Sequence, residues 1–196
     1  ELKHFNEENG LPIDEISAMH FTEDSTLFIG TEYSGIYRFV SETNSFKPIL
    51  LSGDDLSLTI TSLTSKGHQL WIGTLNGVYK MNTETEGIVS YDISSGLSHN
   101  SVGDVLITKT GEVFIGTRSA FLNKFNDGIF EKIKLTPEYD IVTVNKLIES
   151  NDGAIWISTS DNGVFRVDEK ITNISVLDGL ASNYCYGIEQ DANGRI

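Results

Sequence analysis

Few residues in this 196-residue chain could do chemistry, and their spacing supports no catalytic site. The adjacent pair Asp54-Asp55 is the best candidate for general acid and base catalysis. Neighbouring residues on a strand or in a turn point in different directions, so we interpret this pair as a solvated turn. The histidines lack a recurring carboxylate partner, and we expect them on the surface or in sheet ladders. They are scattered along the chain as His4, His20, His68 and His99.

Other motifs for catalysis or cofactor binding are also missing from the sequence. No Cys or His pair has metal-ligand spacing, no Ser lies in a nucleophile elbow, and no Gly-Lys-Thr phosphate loop occurs. The sequence therefore predicts no catalytic residue, no metal and no cofactor. Cys185 is the single cysteine, which excludes an internal disulfide. Because it lies in an apolar segment, we expect it to be buried and inert.

The charge balance excludes one class of partner. Lys and Arg number 14 against 28 Asp and Glu, which gives a net charge of −14. Such a chain repels a phosphate backbone and anionic lipid, so we expect no nucleic-acid partner. No segment is long and apolar enough to span a membrane, and membrane attachment would come only through other parts of a parent chain. A hydrophobic content of 39% suffices for a sizeable core.

A hairpin recurs along the chain. The stretch "LWIGTLNGVYK" from Leu70 places Asn76-Gly77, which tolerates positive φ, between two runs of β-favouring residues. Similar stretches are "LFIGTEYSGIYRF", "VFIGTRSAFLNKF" and "IWISTSDNGVFRV". The aromatic residues that mark them are spaced by 43, 43 and 42 residues, and we expect the two tryptophans to be buried between sheets. These markers are Phe28, Trp71, Phe114 and Trp156.

Each unit adds an inner and an outer strand to the hairpin. Turn phrases such as "NGLP", "SGLS" and "DGLA" come first. The predicted inner strands begin at Glu15, Ser101, Thr143 and Tyr184. The predicted outer strands begin at Phe46, Ile88, Ile129 and Ile174. Four antiparallel strands in about 40–45 residues are typical of a β-propeller blade, so the predicted fold class is all-β, with four-stranded antiparallel blades.

The blade boundaries follow from this pattern. Full blades are predicted at about 13–51, 58–94, 100–137 and 141–178 of a single propeller region. Residues 1–6 ("ELKHF" and Asn6) read as the outer strand of a preceding blade, and residues 184–196 as the start of a following one. We therefore expect an incomplete propeller fragment with partial strands at both ends.

The phrase "DGLASNYCYGIEQDANGRI", together with the hairpins, resembles the two-component regulator propeller repeat of bacterial hybrid histidine kinases. The resemblance covers essentially the whole chain. It implies a seven-bladed ring in the sensor region of an inner-membrane protein, located in the periplasm, with a histidine kinase elsewhere in the parent chain. It also implies a non-catalytic input role with a glycan or other small molecule as the cue.

Two positions depart from the repeat. Ser158 stands where the other units have a glycine, so a small residue is sufficient there, as expected where a neighbouring sheet approaches closely. Phe121 occupies the position of Gly35 and Gly163. A bulky aromatic is a poor choice where positive φ is wanted, so the third hairpin is predicted to turn differently.

A surface must carry the function if catalysis is unsupported. In a propeller the hairpin turns share one face with the loops that join blades, and we call this the loop face. Residues that break the repeat there are free to specify a ligand, since aromatic rings stack on sugars and Arg or Asp can fork hydrogen bonds. The candidate ligand-binding residues are Tyr33, His99, Arg118, Phe121, Tyr139, Asp161 and Tyr184.

Three functional hypotheses remain at this point. The first is the sensory input region, with an oligosaccharide or small-molecule ligand and with homodimerisation left open. The second is a propeller-fold lyase or glycosidase, although glycosidic chemistry needs two carboxyl groups in one cleft and the sequence nominates no such pair. The third is a protein-interaction platform, which differs from the first only in having a protein as its ligand.

Overall fold

The computed structural model describes residues 3–51 and 58–196. Residues 1–2 and 52–57 lie outside the described residues, and the acidic pair Asp54-Asp55 lies outside them too. The chain forms two compact units, Glu1–Ser90 and Tyr91–Ile196, each with two four-stranded sheets. In the described part of the chain, no helix is long and apolar enough to cross a membrane.

The first unit contains two sheets whose strands follow chain order from one edge to the other. Blade one consists of β1 (Ile16–Phe21), β2 (Leu27–Thr31), β3 (Ile36–Val40) and β4 (Ser45–Ile49). Blade two consists of β5 (Ile60–Lys66), β6 (Gln69–Thr74), β7 (Gly77–Asn82) and β8 (Ile88–Tyr91).

The second unit repeats the same topology, so the predicted all-β propeller blades are confirmed. Blade three consists of β9 (Val102–Ile107), β10 (Val113–Thr117), β11 (Phe121–Asn126) and β12 (Ile129–Lys134). Blade four consists of β13 (Val144–Glu149), β14 (Ile155–Thr159), β15 (Val164–Val167) and β16 (Ile171–Ile174).

The predicted turn phrases close short 3₁₀ helices at Glu7–Asn9, Ile93–Ser95 and Val176–Asp178. A polar side chain just before each helix accepts backbone N–H groups of its first turn, as in an α-helical N-cap. A glycine in the left-handed region follows each helix. These glycines are Gly10, Gly96 and Gly179, with φ of 79°, 98° and 105°.

Consecutive blades within a unit approach closely at a small residue near the end of the second strand. A Cβ atom on Gly30 would overlap the side chain of Ile60, which begins the next blade. A Cβ atom on Gly116 would overlap Val144 in the same way. The prediction of a close neighbouring sheet at this position is therefore confirmed for both units. Ser158, at the equivalent place in blade four, is fully buried.

The bulge residue on the first strand of blades one and three also approaches the next blade of the same unit. The Ser17 hydroxyl donates to the Ile60 carbonyl oxygen at 2.6 Å. Gly103 occupies the same bulge position in blade three, where a Cβ atom would overlap the Val144 carbonyl oxygen. In these two blades the side chain at the bulge either satisfies a carbonyl of the next blade or is absent.

Three of the four marker aromatics are buried and one is not. Phe28, Trp71 and Phe114 have exposed fractions of 0%, 2% and 7%. Trp156 is only half-buried, so its predicted burial between sheets is wrong. The described residues after β16 form no strand that could pack over this ring, and the Arg166 guanidinium lies 5.9 Å from its centroid instead.

The predicted outer strand of blade four is displaced in the structure. The sequence analysis began it at Ile174, whereas β16 ends there, because Ser175 caps the 3₁₀ helix Val176–Asp178. The residues of that helix do not continue the β15–β16 ladder. Both the earlier and the later segment have alternating β-favouring residues, so the strand pattern alone does not distinguish them.

Two predicted partial strands are not strands in the structure. Residues 3–6 and 184–190 have no ladder partner among the described residues, and high β-propensity alone does not make a strand. Both segments are nevertheless packed. Phe5 meets Phe39 and Phe46 edge-on, with ring centroids 5.4 and 5.5 Å away. Cys185 is half-buried rather than buried, and its thiol lies 3.6 Å from the Ser182 carbonyl oxygen.

A buried carboxylate joins the blades of the second unit. Asp104 is 3% exposed, and its Oδ2 atom lies 3.0 Å from the Lys146 ammonium and accepts the Leu147 N–H at 2.8 Å. The two charged residues occupy equivalent strand positions, opposite Gly116 and Ser158. The hydrogen bond to blade four compensates part of the desolvation of this carboxylate.

Burial predicts a difference between the two tryptophans. Trp71→Ala should lower the free energy of unfolding by about 3–5 kcal/mol, because it empties a fully packed site. Trp156→Ala should lower it by only about 1–2 kcal/mol, because the ring is partly in water. Urea unfolding of both variants measures the difference. Equal losses would mean that the two rings have the same environment.

Candidate functional site

A backbone hydrogen bond recurs at the loop face of every blade. The residue after the hairpin threonine donates its N–H to the carbonyl oxygen of the residue just before the first strand. The hydrogen bond closes the inner end of each blade and fixes the direction of the donor's backbone. The donors, which we call the rim residues, are Glu32, Leu75, Arg118 and Ser160.

Three of the hairpins use the same turn chemistry. Each hairpin threonine donates its hydroxyl to the carbonyl oxygen of the glycine that ends the turn, at 2.8–3.0 Å. The glycines are Gly35, Gly77 and Gly163, with φ of 75°, 106° and 73°. Only glycine adopts this backbone region without strain, so these turns depend on its presence.

The third hairpin uses a hydroxyl network instead, as the sequence predicted from Phe121. Phe121 has no positive φ, and its N–H donates to the Ser119 hydroxyl at 3.3 Å. The Ser119 hydroxyl lies 2.9 Å from that of Thr117 and donates to that of Ser98 at 2.7 Å. Phe121 is half-buried and pairs with Lys134 at the start of the β11–β12 ladder.

Asn123 anchors this network to the sheet. Its side chain is fully buried and donates to the Ser98 hydroxyl at 2.8 Å and to the Ile115 carbonyl oxygen at 3.1 Å. Its Oδ1 atom accepts the Ser98 N–H at 3.0 Å. Because Ser98 precedes His99, Asn123 fixes the start of the loop that carries this candidate residue.

His99 and Arg118 are brought together through Ser101. The Ser101 N–H donates to Nδ1 of His99 at 2.9 Å, and the Ser101 carbonyl oxygen accepts the Arg118 N–H at 2.9 Å. Both side chains are exposed. Within residues 3–51 and 58–196, no carboxylate lies within ion-pair distance of the Arg118 guanidinium. The pair therefore places an available cation and a ring with one remaining polar nitrogen, Nε2, on the loop face.

The loop of Tyr139 joins the same region. The Ala120 N–H donates to the Asp140 carbonyl oxygen at 3.3 Å, and the Leu135 N–H donates to the Ala120 carbonyl oxygen at 2.9 Å. Tyr139 is 48% exposed. Backbone hydrogen bonds thus connect the loops of four candidates in blade three and its connection to blade four, namely His99, Arg118, Phe121 and Tyr139.

Asp161 and Tyr184 belong to a second connected part of this face. The Cys185 N–H donates to the Thr159 carbonyl oxygen at 2.8 Å, so the segment after Tyr184 lies against the turn that holds Asp161. Both candidate side chains are exposed. Asn145 occupies the bulge position of blade four. Its Nδ2 atom donates to the Cys185 carbonyl oxygen at 2.8 Å.

Tyr184 forms an aromatic pair with Tyr186. Their ring centroids are 4.7 Å apart in an edge-to-face arrangement, and the rings are 49% and 77% exposed. The hydrogen bond with the Tyr186 side chain raises the pKa of Tyr184 above its ordinary value. Two exposed tyrosines with linked hydroxyls offer both a stacking surface and polar groups to a hydroxyl-rich ligand.

Tyr33 is the one candidate in the first unit. Its ring is 68% exposed, and the Asp14 carboxylate accepts its N–H at 2.9 Å. Desolvation works to raise the pKa of Asp14, but hydrogen bonds from the Tyr33 N–H and the hydroxyls of Ser34 and Thr31 lower it overall. The hydrogen bond with the Glu32 side chain raises the pKa of Tyr33.

Sequence reasoning missed several residues of the loop face. It selected Arg118 but not the other rim residues, Glu32, Leu75 and Ser160, which are recognisable only once the repeated hydrogen bond is seen. Counting residues from each hairpin threonine would have found them, because all four follow it directly. Tyr186 was hidden because its segment was assigned to a buried inner strand. Asn123 was also missed, although it breaks the repeat, since tyrosine or phenylalanine holds its place in the other blades.

Metal coordination finds no support in the residues that the structure describes. No group of three or more His, Cys, Asp or Glu side chains among them could hold a metal ion. His20 instead lies 2.8 Å from the Ser65 hydroxyl, and His68 pairs with Glu84 at 3.4 Å. These two histidines therefore have sheet or turn contacts, in agreement with their expected role.

Comparison with known proteins gives structural relatives only. The chain matches no sequence-family profile and no curated protein. It is similar to the extracellular domain of BT3049 from B. thetaiotaomicron, described as a hybrid two-component system, with 22% identity and a TM-score of 0.80. The match covers 92% of this chain and 25% of that one. The corresponding domain of BT4673 gives 23% identity, a TM-score of 0.76, and coverage of 91% and 24%.

A propeller enzyme is also similar in fold. Virginiamycin B lyase from Staphylococcus aureus shares 14% identity with a TM-score of 0.68, over 84% of this chain and 57% of the lyase. At these identities the matches establish the propeller fold. They agree with the resemblance of the repeat to the sensor regions of hybrid kinases. The chain spans about a quarter of the length of the two sensor domains.

The buried amide of Asn123 predicts a measurable effect on the loop that carries His99. Asn123→Ala leaves the Ser98 N–H and Ile115 carbonyl without their partner, so it should cost about 2–3 kcal/mol of unfolding free energy. It should also speed hydrogen exchange in residues 98–101. Asn126→Ala, an exposed change on the same strand, is the control and should cost less than about 0.5 kcal/mol. Equal effects of the two changes would contradict the anchoring role.

Proposed function

We propose that this chain is part of the sensory input region of an extracytoplasmic two-component signalling protein. Its loop face binds an oligosaccharide or another small hydroxyl-rich cue, and the parent protein relays binding to a histidine kinase. The fold shared with extracellular domains of hybrid two-component systems supports the input role. On this proposal the region lies in the periplasm as part of an inner-membrane protein.

The observation that carries the proposal is the group of loops around Arg118. Backbone hydrogen bonds join the turn of Arg118 to the loops of His99 and Tyr139, and a buried network anchors that turn. A cation without an ion-pair partner in the described residues, an imidazole and an exposed phenol are thereby held at one edge of the face. Such groups can fork hydrogen bonds to sugar hydroxyls or carboxylates and stack on a sugar ring.

The loop positions explain how several weak contacts could give useful affinity. A ligand that meets preorganised loops loses less free energy to ordering than one that meets mobile loops. The hydroxyl network of the third hairpin and the Asn123 anchor provide this preorganisation. A homodimeric parent would present the face twice and would allow ligand binding to change the relation between two kinase partners.

A catalytic role remains the alternative, since a lyase shares the fold. Glycosidic cleavage by the common mechanism requires two carboxyl groups facing one bond. The candidate side chains around Arg118 are a cation, an imidazole and aromatic rings, and the carboxylates of this group, Glu138 and Asp140, flank Tyr139 in one exposed loop. Binding without turnover is therefore the better match to this chemistry, and a protein ligand is the remaining variation of the same proposal.

A glycan array with the complete parent protein tests the proposed ligand class. The best-bound oligosaccharide is then titrated by calorimetry against Arg118→Ala and Phe121→Ala variants. Each variant should keep its melting temperature within a few degrees and should weaken binding about tenfold, as expected for the loss of a charged or aromatic contact. Lys132→Ala, on the exposed outer strand of blade three, is the matched control and should bind normally.

The competing outcome is specific to Phe121. If its half-buried ring only fills space at the start of β11, Phe121→Ala will lower the melting temperature and leave binding per folded molecule unchanged. That result, together with normal binding by Arg118→Ala, would refute the assignment of the ligand to this part of the face. Release of shortened sugars during the titration would favour the enzyme alternative.

A further inference from the structure

The first unit contains a groove between its two blades, near their outer strands. Closer to the inner strands, Phe28 and Ile36 of blade one pack against the buried apolar side chains of blade two. Towards the outer strands a cavity of about 370 Å³ adjoins this cluster, which also includes Ile49, Met81 and Ile88. Its apolar lining comes from both blades and consists of Pro48, Ile49, Leu50, Met81 and Ile88.

Two cations of blade one line the same cavity. Strand alternation places Arg38 on the face of Ile36, and Lys47 on the face of Ile49. The two cations are direct cross-strand partners in the β3–β4 ladder. Like charges in this position repel each other, so the pair is unfavourable unless an anion lies nearby.

Blade three resolves the equivalent position differently. Lys124 corresponds to Arg38, and its cross-strand partner is Glu131, of opposite charge. Lys124 also pairs with Glu112 on its own blade at 2.6 Å. The charges at these two positions therefore cancel within blade three, whereas both positions in blade one carry a positive charge.

The anion for blade one comes from the next blade, through a residue in an unfavourable backbone conformation. The Glu86 carboxylate lies 2.9 Å from the Arg38 guanidinium. Glu86 has a φ of +58°, in the left-handed region that glutamate rarely adopts. This ion pair bridges the groove and accounts for one of the two cations.

Lys47 is the remaining cation. Its side chain is exposed, and no carboxylate in the described parts of the chain lies within ion-pair distance of it. Asp24 and Glu42 line a separate neighbouring cavity of about 280 Å³, which Arg38 also borders. The apolar cavity therefore has Lys47 and Arg38 against the single carboxylate Glu86, in a protein whose net charge is −14.

We propose that this groove is a binding site for a small amphipathic carboxylate, with its anionic head at Lys47 and its apolar body on the surface of Ile49, Leu50 and Ile88. A cavity of about 370 Å³ is at the small end of the range for ligand pockets, so the apolar body is a short one. Binding would supply the second anion that the Arg38 and Lys47 pair lacks. The site lies in the first unit and is independent of the proposed ligand site around Arg118.

Ligands that differ in one property at a time test the chemistry of the site. Octanoate, octan-1-ol, octylammonium and acetate are titrated into the full 196-residue chain and followed by saturation-transfer difference NMR. Octanoate should bind at least about fivefold more tightly than octanol, since its head forms a charge-assisted contact. Acetate and octylammonium should bind weakly, because one lacks the apolar body and the other has the wrong charge.

Variants locate the binding to the groove. Lys47→Gln should remove the advantage of octanoate over octanol, and Leu50→Ser should weaken both ligands. Glu86→Gln should strengthen octanoate binding about two- to fivefold, because it removes a competing carboxylate from Arg38. Lys132→Gln is the matched control, since it removes an exposed outer-strand lysine from blade three.

Two outcomes overturn the proposal. One is an octanoate affinity that stays the same in the Lys47→Gln and Lys132→Gln variants. The other is octylammonium binding as tightly as octanoate, which would indicate a groove governed by Glu86. Thermal melting of each variant confirms that affinities are compared between folded proteins.

Discussion

The distance between consecutive blades at their inner ends is the constraint on which the other features of each unit depend. Gly30 and Gly116 lie so close to the next blade that a single Cβ atom would overlap Ile60 or Val144. Ile60 and Val144 are themselves fully or nearly fully buried, and each begins the first strand of its blade. The carbonyl just before that first residue accepts the recurring rim hydrogen bond. The close approach therefore positions the rim residues.

The sequence predicts the parts of this arrangement that depend on local pattern. The period, the hairpins and the turn phrases follow from residue types at fixed offsets, and the structure agrees with them. Properties that need a partner are not predictable in this way. The segment from Tyr184 has strand-like residues without a ladder partner, and β16 ends at Ile174 because Ser175 starts a capped turn. Trp156 is partly exposed because the burial of a side chain depends on the element that packs against it. The position of a residue within the repeat does not specify that element.

The candidate site was predictable to a similar extent. A break in the repeat correctly indicated that the Phe121 turn is unusual, since a glycine position cannot take phenylalanine without a change of conformation. Of the compensating groups, Asn123 lies two residues after Phe121, but Ser98 comes from the preceding loop and meets it only in the fold. A buried polar network contributes to stability only when its members find partners, and here the hydroxyls and the amide satisfy one another. The turn beneath Arg118 is therefore held by side-chain hydrogen bonds. A proposed binding site has more need of such a fixed turn than a hairpin that only joins two strands.

The same constraint also explains why the groove in the first unit can hold charges. Residues at the inner ends of its blades have no free volume, so variation there is limited to glycine, serine or a carbonyl-bonding side chain. The backbones of the outer strands do not approach each other as the inner ends do, and a cavity lies between them. There Arg38 and Lys47 can keep their charged ends near water. Charged groups at that depth retain part of their hydration and do not incur the full cost of burial. Chemistry that departs from the repeat is therefore expected where the blades diverge or where the loops begin, and both proposed sites lie in such places.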